Sequence, residues 1–308
     1  MEEYSIALYS FVSLIFLFFG FKLLIQPKIS RKNLPPTPPA LPVIGHLHLI
    51  KRPLHRFYHD LSQKYGPIYS LRFGSRLVVV VSSSTAAEEC FGKNDIVLAN
   101  RPKLLIGKHL GYNWSTVVGS PYGDHWRNLR RISAIEIFSS SRLNTFSSIR
   151  KDEVKRLLVK LWNHNHDRGF SKVELKSMFV DLGFNNIMRM VAGKRYHGGD
   201  DDGVTAEEEE EGKEFRELIK ETLASGGVAH PGDFLPFLNW VGGSYVKKLE
   251  KLGERMDGFL QKLIDEIREK KQGNTMIDHL LSLQQTQPDY YTDQIIKGLI
   301  LVTIYLRL

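Results

Sequence analysis

The chain has 308 residues, a formal net charge of +8 and a pI near 9.3. With 42% hydrophobic and 25% charged residues it is globular rather than disordered, and its length suits one large domain or two ordinary ones. The basic residues are dispersed, with no block of five or more, which argues against a nucleic-acid partner. The single cysteine, Cys90, excludes an intramolecular disulfide and any multi-cysteine metal site, and suits a reducing compartment.

The pattern over 1–27 predicts a membrane anchor. Tyr4 to Phe21 is free of charge and rich in Phe, Leu and Ile. At about 1.5 Å per residue this nearly crosses a hydrocarbon core. Glu2 and Glu3 precede it, and Lys22, Lys28, Arg31 and Lys32 follow, so the positive-inside rule puts the body in the cytosol. The acidic start and the lack of a small-residue cleavage site argue against a secretory signal peptide. Asn113-Trp114-Ser115 is a glycosylation sequon that would be used only if the body were luminal.

Residues 28–48 read as a basic, proline-rich hinge, with Pro35-Pro-Thr-Pro-Pro39 as an extended spacer. The remainder, 49–308, reads as one mostly helical body with a small sheet near its front. Leu54, Phe57, Tyr58 and Leu61 mark an amphipathic helix ended by Gly66-Pro67. Ile68 to Phe73 and Leu77 to Val81 flank Gly74-Ser75 as a hairpin. Thr85-Ala-Ala-Glu88 predicts a capping box for the next helix.

Leu157, Leu158, Leu161 and Trp162 share one helical face, as do Leu175, Met178, Phe179 and Leu182. Gly198 to Asp202, followed by Glu207 to Glu211, reads as a solvated acidic loop entering a helix start, without the spaced ligands of a calcium loop. The clearest helix spans Tyr245 to Lys270. Its stripe is Val246, Leu249, Leu252, Met256, Phe259, Leu260, Leu263, Ile264 and Ile267. A further apolar helix opens at Gln294. The expectation is that both this stripe and the run from Ile295 to Leu306 need partners from further sequence, and that the body is loosely packed without them.

Candidate chemistry is sparse. Trp126 and Arg130 are four apart on a predicted helix and can offer an indole N–H and a guanidinium to carboxylates. Otherwise they are part of a surface helix with a half-buried Trp. His55 and His59, and separately His164 and His166, have metal-compatible spacing but read as solvated or half-buried histidines. Cys90 lies in an ordinary helical segment and reads as a small apolar residue rather than a ligand. No P-loop, Gly-x-Gly-x-x-Gly or Gly-x-Ser-x-Gly occurs.

The order of motifs carries more than any one of them. Anchor, basic stop and proline spacer are followed by Pro42-Val-Ile-Gly-His46, Tyr65-Gly-Pro-Ile-Tyr69, Ala99-Asn-Arg-Pro102, Trp126-Arg-Asn-Leu-Arg-Arg131 and Asp233-Phe-Leu-Pro-Phe-Leu-Asn-Trp240. In series they resemble the front of a plant microsomal cytochrome P-450, near the isoflavone and flavonoid hydroxylases. The resemblance implies the N-terminal part of that fold, mainly α with a small β-sheet, preceded by one transmembrane helix in the endoplasmic reticulum.

It also implies haem as cofactor, with Trp126 and Arg130 pairing its propionates. It implies NADPH-cytochrome reductase as partner, met in part by Arg127 and Arg131, and a small aromatic substrate hydroxylated with dioxygen. Lys103 to Gly119 would be the loop over that substrate, with Leu105, Ile106 and Trp114 as apolar candidates. Phe215 to Ala224, with Phe215 and Leu218 foremost, would contribute from the roof. The family's Phe-x-x-Gly-x-Arg-x-Cys-x-Gly loop, its oxygen-binding segment and its Glu-x-x-Arg pair have no match in these residues. The expectation is therefore no turnover by this stretch alone. The alternative is a non-catalytic, membrane-anchored protein that binds the reductase or full-length relatives.

Overall fold

A computed structural model describes residues 2–24, 33–137, 139–164, 172–198, 203–226, 230–241, 243–270 and 273–307. The chain divides into two compact units, Met1–Asp95 with Phe234–Pro236, and Ile96–Asp233 with Phe237–Leu308.

The first unit begins with α1 (Glu2–Leu24), one 23-residue helix. Among the described residues no helix is long and apolar enough to cross a membrane. The expected anchor is thus seen only as a helix.

After α2 (Leu54–Tyr65), which Gly66 ends at φ 95°, come β1 (Ile68–Phe73) and β2 (Arg76–Val81). They form the expected antiparallel hairpin, with Ile68 opposite Val81 and Phe73 opposite Arg76. Gly74 turns the chain at φ 57°, and a Cβ there would lie 2.3 Å from the Phe234 carbonyl oxygen, so no other residue fits without displacement. Phe57, Tyr69, Leu71 and Phe73 form the local core.

The proline run does more than space. The Pro36 carbonyl accepts the Ser70 N–H at 2.8 Å, Pro35 accepts the Ser70 hydroxyl at 3.0 Å, and the His46 ring meets the Pro38 carbonyl at 2.9 Å. Proline carries no donor but keeps its acceptor, so this segment can line a strand that still has N–H groups to satisfy.

The next helix, α3 (Ser84–Phe91), corrects the expected start. Its cap is Ser83, whose hydroxyl accepts the Ala86 N–H, rather than Thr85. Either hydroxyl suits the role by type; the backbone turns helical one residue after Ser83.

The second unit holds α4 (Asp95–Leu98, straddling the boundary), α5 (Leu105–His109), α6 (Asp124–Ile132), α7 (Ser140–Thr145), α8 (Ser147–His164), α9 (Leu175–Ala192) and α10 (Ala206–Gly226). It continues with the short α11 (Pro231–Phe234, whose last residue belongs to the first unit) and α12 (Leu238–Val241), then α13 (Gly243–Lys270), α14 (Met276–Thr286) and α15 (Asp293–Arg307). The acidic entry to α10 takes the expected form. Thr205 and Glu208 cap it reciprocally, with the Glu208 N–H reaching the Thr205 hydroxyl at 3.2 Å. The Gly199–Asp202 part of the acidic loop lies outside the described residues.

Two expectations about exposure are overturned. The α13 stripe is buried: Leu249, Leu252, Met256, Leu260, Leu263, Ile264 and Ile267 all lie in the core. So do Ile296, Leu299, Ile300, Leu301 and Ile304 on α15. The partners are α5, α10, α12, α14 and α15 themselves, packed around α13. Among the described residues these faces are already covered. The exposed apolar face belongs to α8 instead, where Val154, Leu158, Val159 and Trp162 reach solvent and Trp162 is 69% exposed. On α9, Leu175 and Phe179 are also outward while Met178 is buried.

Where α8 turns inward it buries charge. Glu153 is held by Arg189 at 2.7 Å and Arg195 at 3.0 Å. The Asn185 amide next to it accepts the Tyr196 and His197 N–H groups. Burial, with Arg216 nearby, holds the His197 pKa below its ordinary value.

This division between the two faces can be measured. Leu260→Ala is expected to lower unfolding free energy by about 2–5 kcal/mol in urea titration, as for a filled core site. Leu158→Ser is expected to change it by less than about 0.5 kcal/mol.

Candidate functional site

Trp126 and Arg130 sit on α6 as their spacing requires, with Leu129 and Ile132 turned into the core. Trp126 is half-buried and Arg130 exposed. The Arg130 guanidinium lies 5.1 Å from the Trp126 ring centre, and that of Arg101 lies 5.0 Å from it. The indole is thus a platform shared by two cations. Its N–H is already used: it donates to the Val117 carbonyl at 3.1 Å. Among the described residues the Arg130 side chain makes no hydrogen bond or ion pair.

Arg127 and Arg131 are engaged on their own helix, Arg127 with Asp124 and Arg131 with Asn128 at 2.6 Å. The charge available to an anion is therefore concentrated at Arg130, with Arg101 beside it. Arg101 was visible in the sequence only as part of Ala99-Asn-Arg-Pro102. Its approach to a ring 25 positions away had no local signal.

The loop from Lys103 to Gly119 is internally braced. Trp114 folds back so that its N–H donates to the Leu104 carbonyl at 2.8 Å, and its ring covers Gly107. A Cβ at Gly107 would come within 2.4 Å of that ring. Tyr112, Asn113 and Trp114 are consecutive left-handed residues with φ 49°, 56° and 58°. Such a run is held only when its surroundings determine it. Leu105 and Ile106 are half-buried against the core, whereas Phe215 and Leu218 are inside it. Phe215 stacks on Phe259 with centroids 3.7 Å apart. Trp114 and Phe215 thus serve first as packing struts.

Beneath this loop lies a pair that periodicity could not reveal. Lys297 on α15, 7% exposed, meets Asp257 on α13 at 2.5 Å, and its ammonium lies 5.9 Å from the Tyr112 ring centre. Burial, and then the Asp257 charge, push the Tyr112 phenol far above its ordinary range. Burial likewise raises Tyr305 to about 12.

Cys90 is half-buried on α3 and free of any disulfide. Among the described residues no group of three or more His, Cys, Asp or Glu side chains assembles as a metal site.

These features belong to a mainly helical scaffold with one two-stranded sheet, and comparison fixes which one. A sequence profile described as Cytochrome P450 matches residues 35–304. The chain belongs to the cytochrome P450 family. It is 56% identical over 304 residues to Cytochrome P450 81Q32 of Catharanthus roseus, covering 98% of this chain and 59% of that protein. It is 49% identical over 306 residues to the isoflavone 2'-hydroxylase of Glycyrrhiza echinata, covering 99% and 60%. It is 50% identical over 299 residues to the isoflavone 3'-hydroxylase of Medicago truncatula, covering 95% and 59%. The chain thus spans about three-fifths of the length of the curated relatives it matches.

The buried pair generates an asymmetric prediction. Asp257→Asn strands a buried ammonium and is expected to cost about 3 kcal/mol, the low end for breaking a buried pair, because Asp257 is itself partly exposed. Lys297→Met leaves a carboxylate that water can reach and is expected to cost less than about 1 kcal/mol. Urea unfolding of the two variants decides the order.

Proposed function

We propose that this chain forms the front of a haem monooxygenase that hydroxylates an aromatic plant metabolite of the isoflavonoid or flavonoid kind. The substrate class is supported by the names of two relatives, both isoflavone hydroxylases. Electrons would come from NADPH through a membrane-bound reductase.

The observation that carries the proposal is the exposed Arg130 beside Arg101 on the Trp126 ring. Two guanidiniums that never lose their charge at neutral pH suit the two carboxylates of a porphyrin, and each can grip one in a fork. Arg130 is therefore read as the principal anchor. Trp126 orients it by stacking, and donates its own N–H to a carboxylate only if it leaves Val117. Haem, when bound, supplies the iron at which dioxygen is activated. Leu105 and Ile106 would shape an apolar wall that keeps water from a flat aromatic substrate, with Phe215 and Leu218 packed in the core behind them. Cys90 on α3 is not read as the iron ligand.

A hybrid tests this reading. In it, residues 1–308 replace the matching front of the isoflavone 2'-hydroxylase of Glycyrrhiza echinata. It is expected to show the thiolate-type Soret band in a reduced carbon monoxide difference spectrum and to hydroxylate an isoflavone. Arg130→Ala in the hybrid is expected to weaken haem retention by about tenfold or more, the scale of a lost charge-assisted contact. The 308-residue polypeptide alone is expected to show no such band. A band from it would overturn the reading of Cys90. A hybrid without a band, alongside stable capture of the reductase by the 308-residue chain, would favour a non-catalytic interaction protein instead.

α1 is read as a single-pass anchor in the endoplasmic reticulum membrane, with the body cytosolic. Acidic residues before it and basic residues after it support that orientation. Asn113 is exposed and stands in a sequon, which makes it a reporter. Expression in microsomes is expected to leave Asn113 without glycan; an endoglycosidase-sensitive mass shift that disappears in Asn113→Gln would reverse the orientation.

A further inference from the structure

Away from α6, a cavity of about 50 Å³ lies between α8, α9 and the segment that follows α9. Arg156 and Lys160 reach it from α8, Asp181 from α9, and Arg195 and His197 from the segment beyond. His197 is fixed there by the backbone around it. The Asn185 side-chain oxygen accepts the Tyr196 and His197 N–H groups, each at 3.1 Å, and the Asn185 amide donates to the His197 carbonyl at 2.7 Å. The His197 ring packs against Phe184, with centroids 5.3 Å apart. The residue is 8% exposed, and among the described residues its buried Nε2 has no hydrogen-bond partner. Such a nitrogen on a cavity wall costs free energy unless something in the cavity meets it.

Charge decides what can meet it. The carboxylates of the wall are already matched: Glu153 by Arg189 at 2.7 Å and Arg195 at 3.0 Å, and Asp181 by Arg216 at 2.5 Å. Arg156 pairs with Asp152 at 3.1 Å. Lys160 is exposed beside the cavity and makes no ion pair among the described residues. The surplus is therefore positive, which disfavours a metal cation and favours an anion. Burial, and then the Arg216 charge, keep the His197 ring neutral, with one N–H; carried on Nε2, it donates into the cavity. Size narrows the choice further. One water needs about 10–15 Å³ of such space, so the cavity admits a few heavy atoms rather than a drug-sized molecule.

We propose that this cavity binds a small oxyanion of phosphate size, held by the Lys160 ammonium from α8 and by His197 Nε2 from the segment after α9. A bound oxyanion ties those two elements together. The same chemistry fits a free ion and the phosphate of a lipid headgroup, so both are offered as probes.

The full 308-residue chain, labelled on its histidine rings, is titrated at fixed pH in maltoside micelles, which carry no phosphate. The His197 ring resonance is identified by its loss in His197→Gln. It is expected to move saturably with inorganic phosphate and not with chloride at equal ionic strength. Movement with short-chain phosphatidate in place of phosphate would assign the site to a headgroup. Lys160→Ala is expected to weaken binding of the active probe by about tenfold, the scale of one charge-assisted contact. Lys155→Ala, a neighbouring exposed cation on α8 outside the cavity wall, is expected to leave it unchanged. Lys160 is exposed, so its loss does not endanger the fold. A His197 resonance that ignores both probes, or follows chloride equally, overturns the site, as does unaltered affinity in Lys160→Ala. The readout needs neither haem nor substrate and stands whatever the hybrid oxygenase does.

Discussion

The larger unit depends on the burial of one apolar stripe along α13. The helix has 28 residues, so at about 1.5 Å each it runs about 42 Å. Leu249, Leu252, Met256, Leu260, Leu263, Ile264 and Ile267 recur in steps of three, four and one, which places them in a single band. Each contributes about 1.5–3 kcal/mol when withdrawn from water. That band meets α5, α10, α12, α14 and α15, so elements far apart in sequence are positioned by a common neighbour. The opposite face of α13 is charged, which keeps the helix in one rotational setting.

Polar contacts then fix what the stripe only brings close. Apolar packing tolerates sliding, whereas a buried charge or amide does not. Lys297 with Asp257 sets α15 against α13, and Asp233 sets the start of α5 against α11. Glu153 with Arg189 and Arg195 does the same for α8, α9 and the segment after α9. Each removes a degree of freedom between the segments it joins. The left-handed run at Tyr112 to Trp114 persists because Trp114 is held at both its ring and its N–H.

The α6 face that carries Trp126 shows the same economy of parts. α6 places Trp126 and Arg130 by spacing alone. It takes a residue from the segment between α4 and α5, Arg101, to complete the cationic pair on the indole. The indole N–H goes to Val117, a backbone group that no spacing rule connects to it. A buried or half-buried donor takes the acceptor the fold offers, and here that acceptor is supplied by the 103–119 loop.

The sequence by itself determined the elements that periodicity and turn chemistry encode. The hairpin at Gly74-Ser75, the end of α2 at Gly66, the α13 stripe and the facing of Trp126 with Arg130 are all local, because helix and strand repeats and left-handed glycines are properties of neighbouring residues. The motif order was enough to place the chain in its family. Tertiary structure alone decided which faces are covered. Periodicity shows that α8 and α13 each have an apolar face, but not that α13 is surrounded and α8 is not. It also decided the partners of Pro36, Trp114, Asp233, Arg101 and Lys297, since a hydrogen bond or ion pair across tens to more than a hundred positions depends on the packed arrangement and leaves no trace in local spacing.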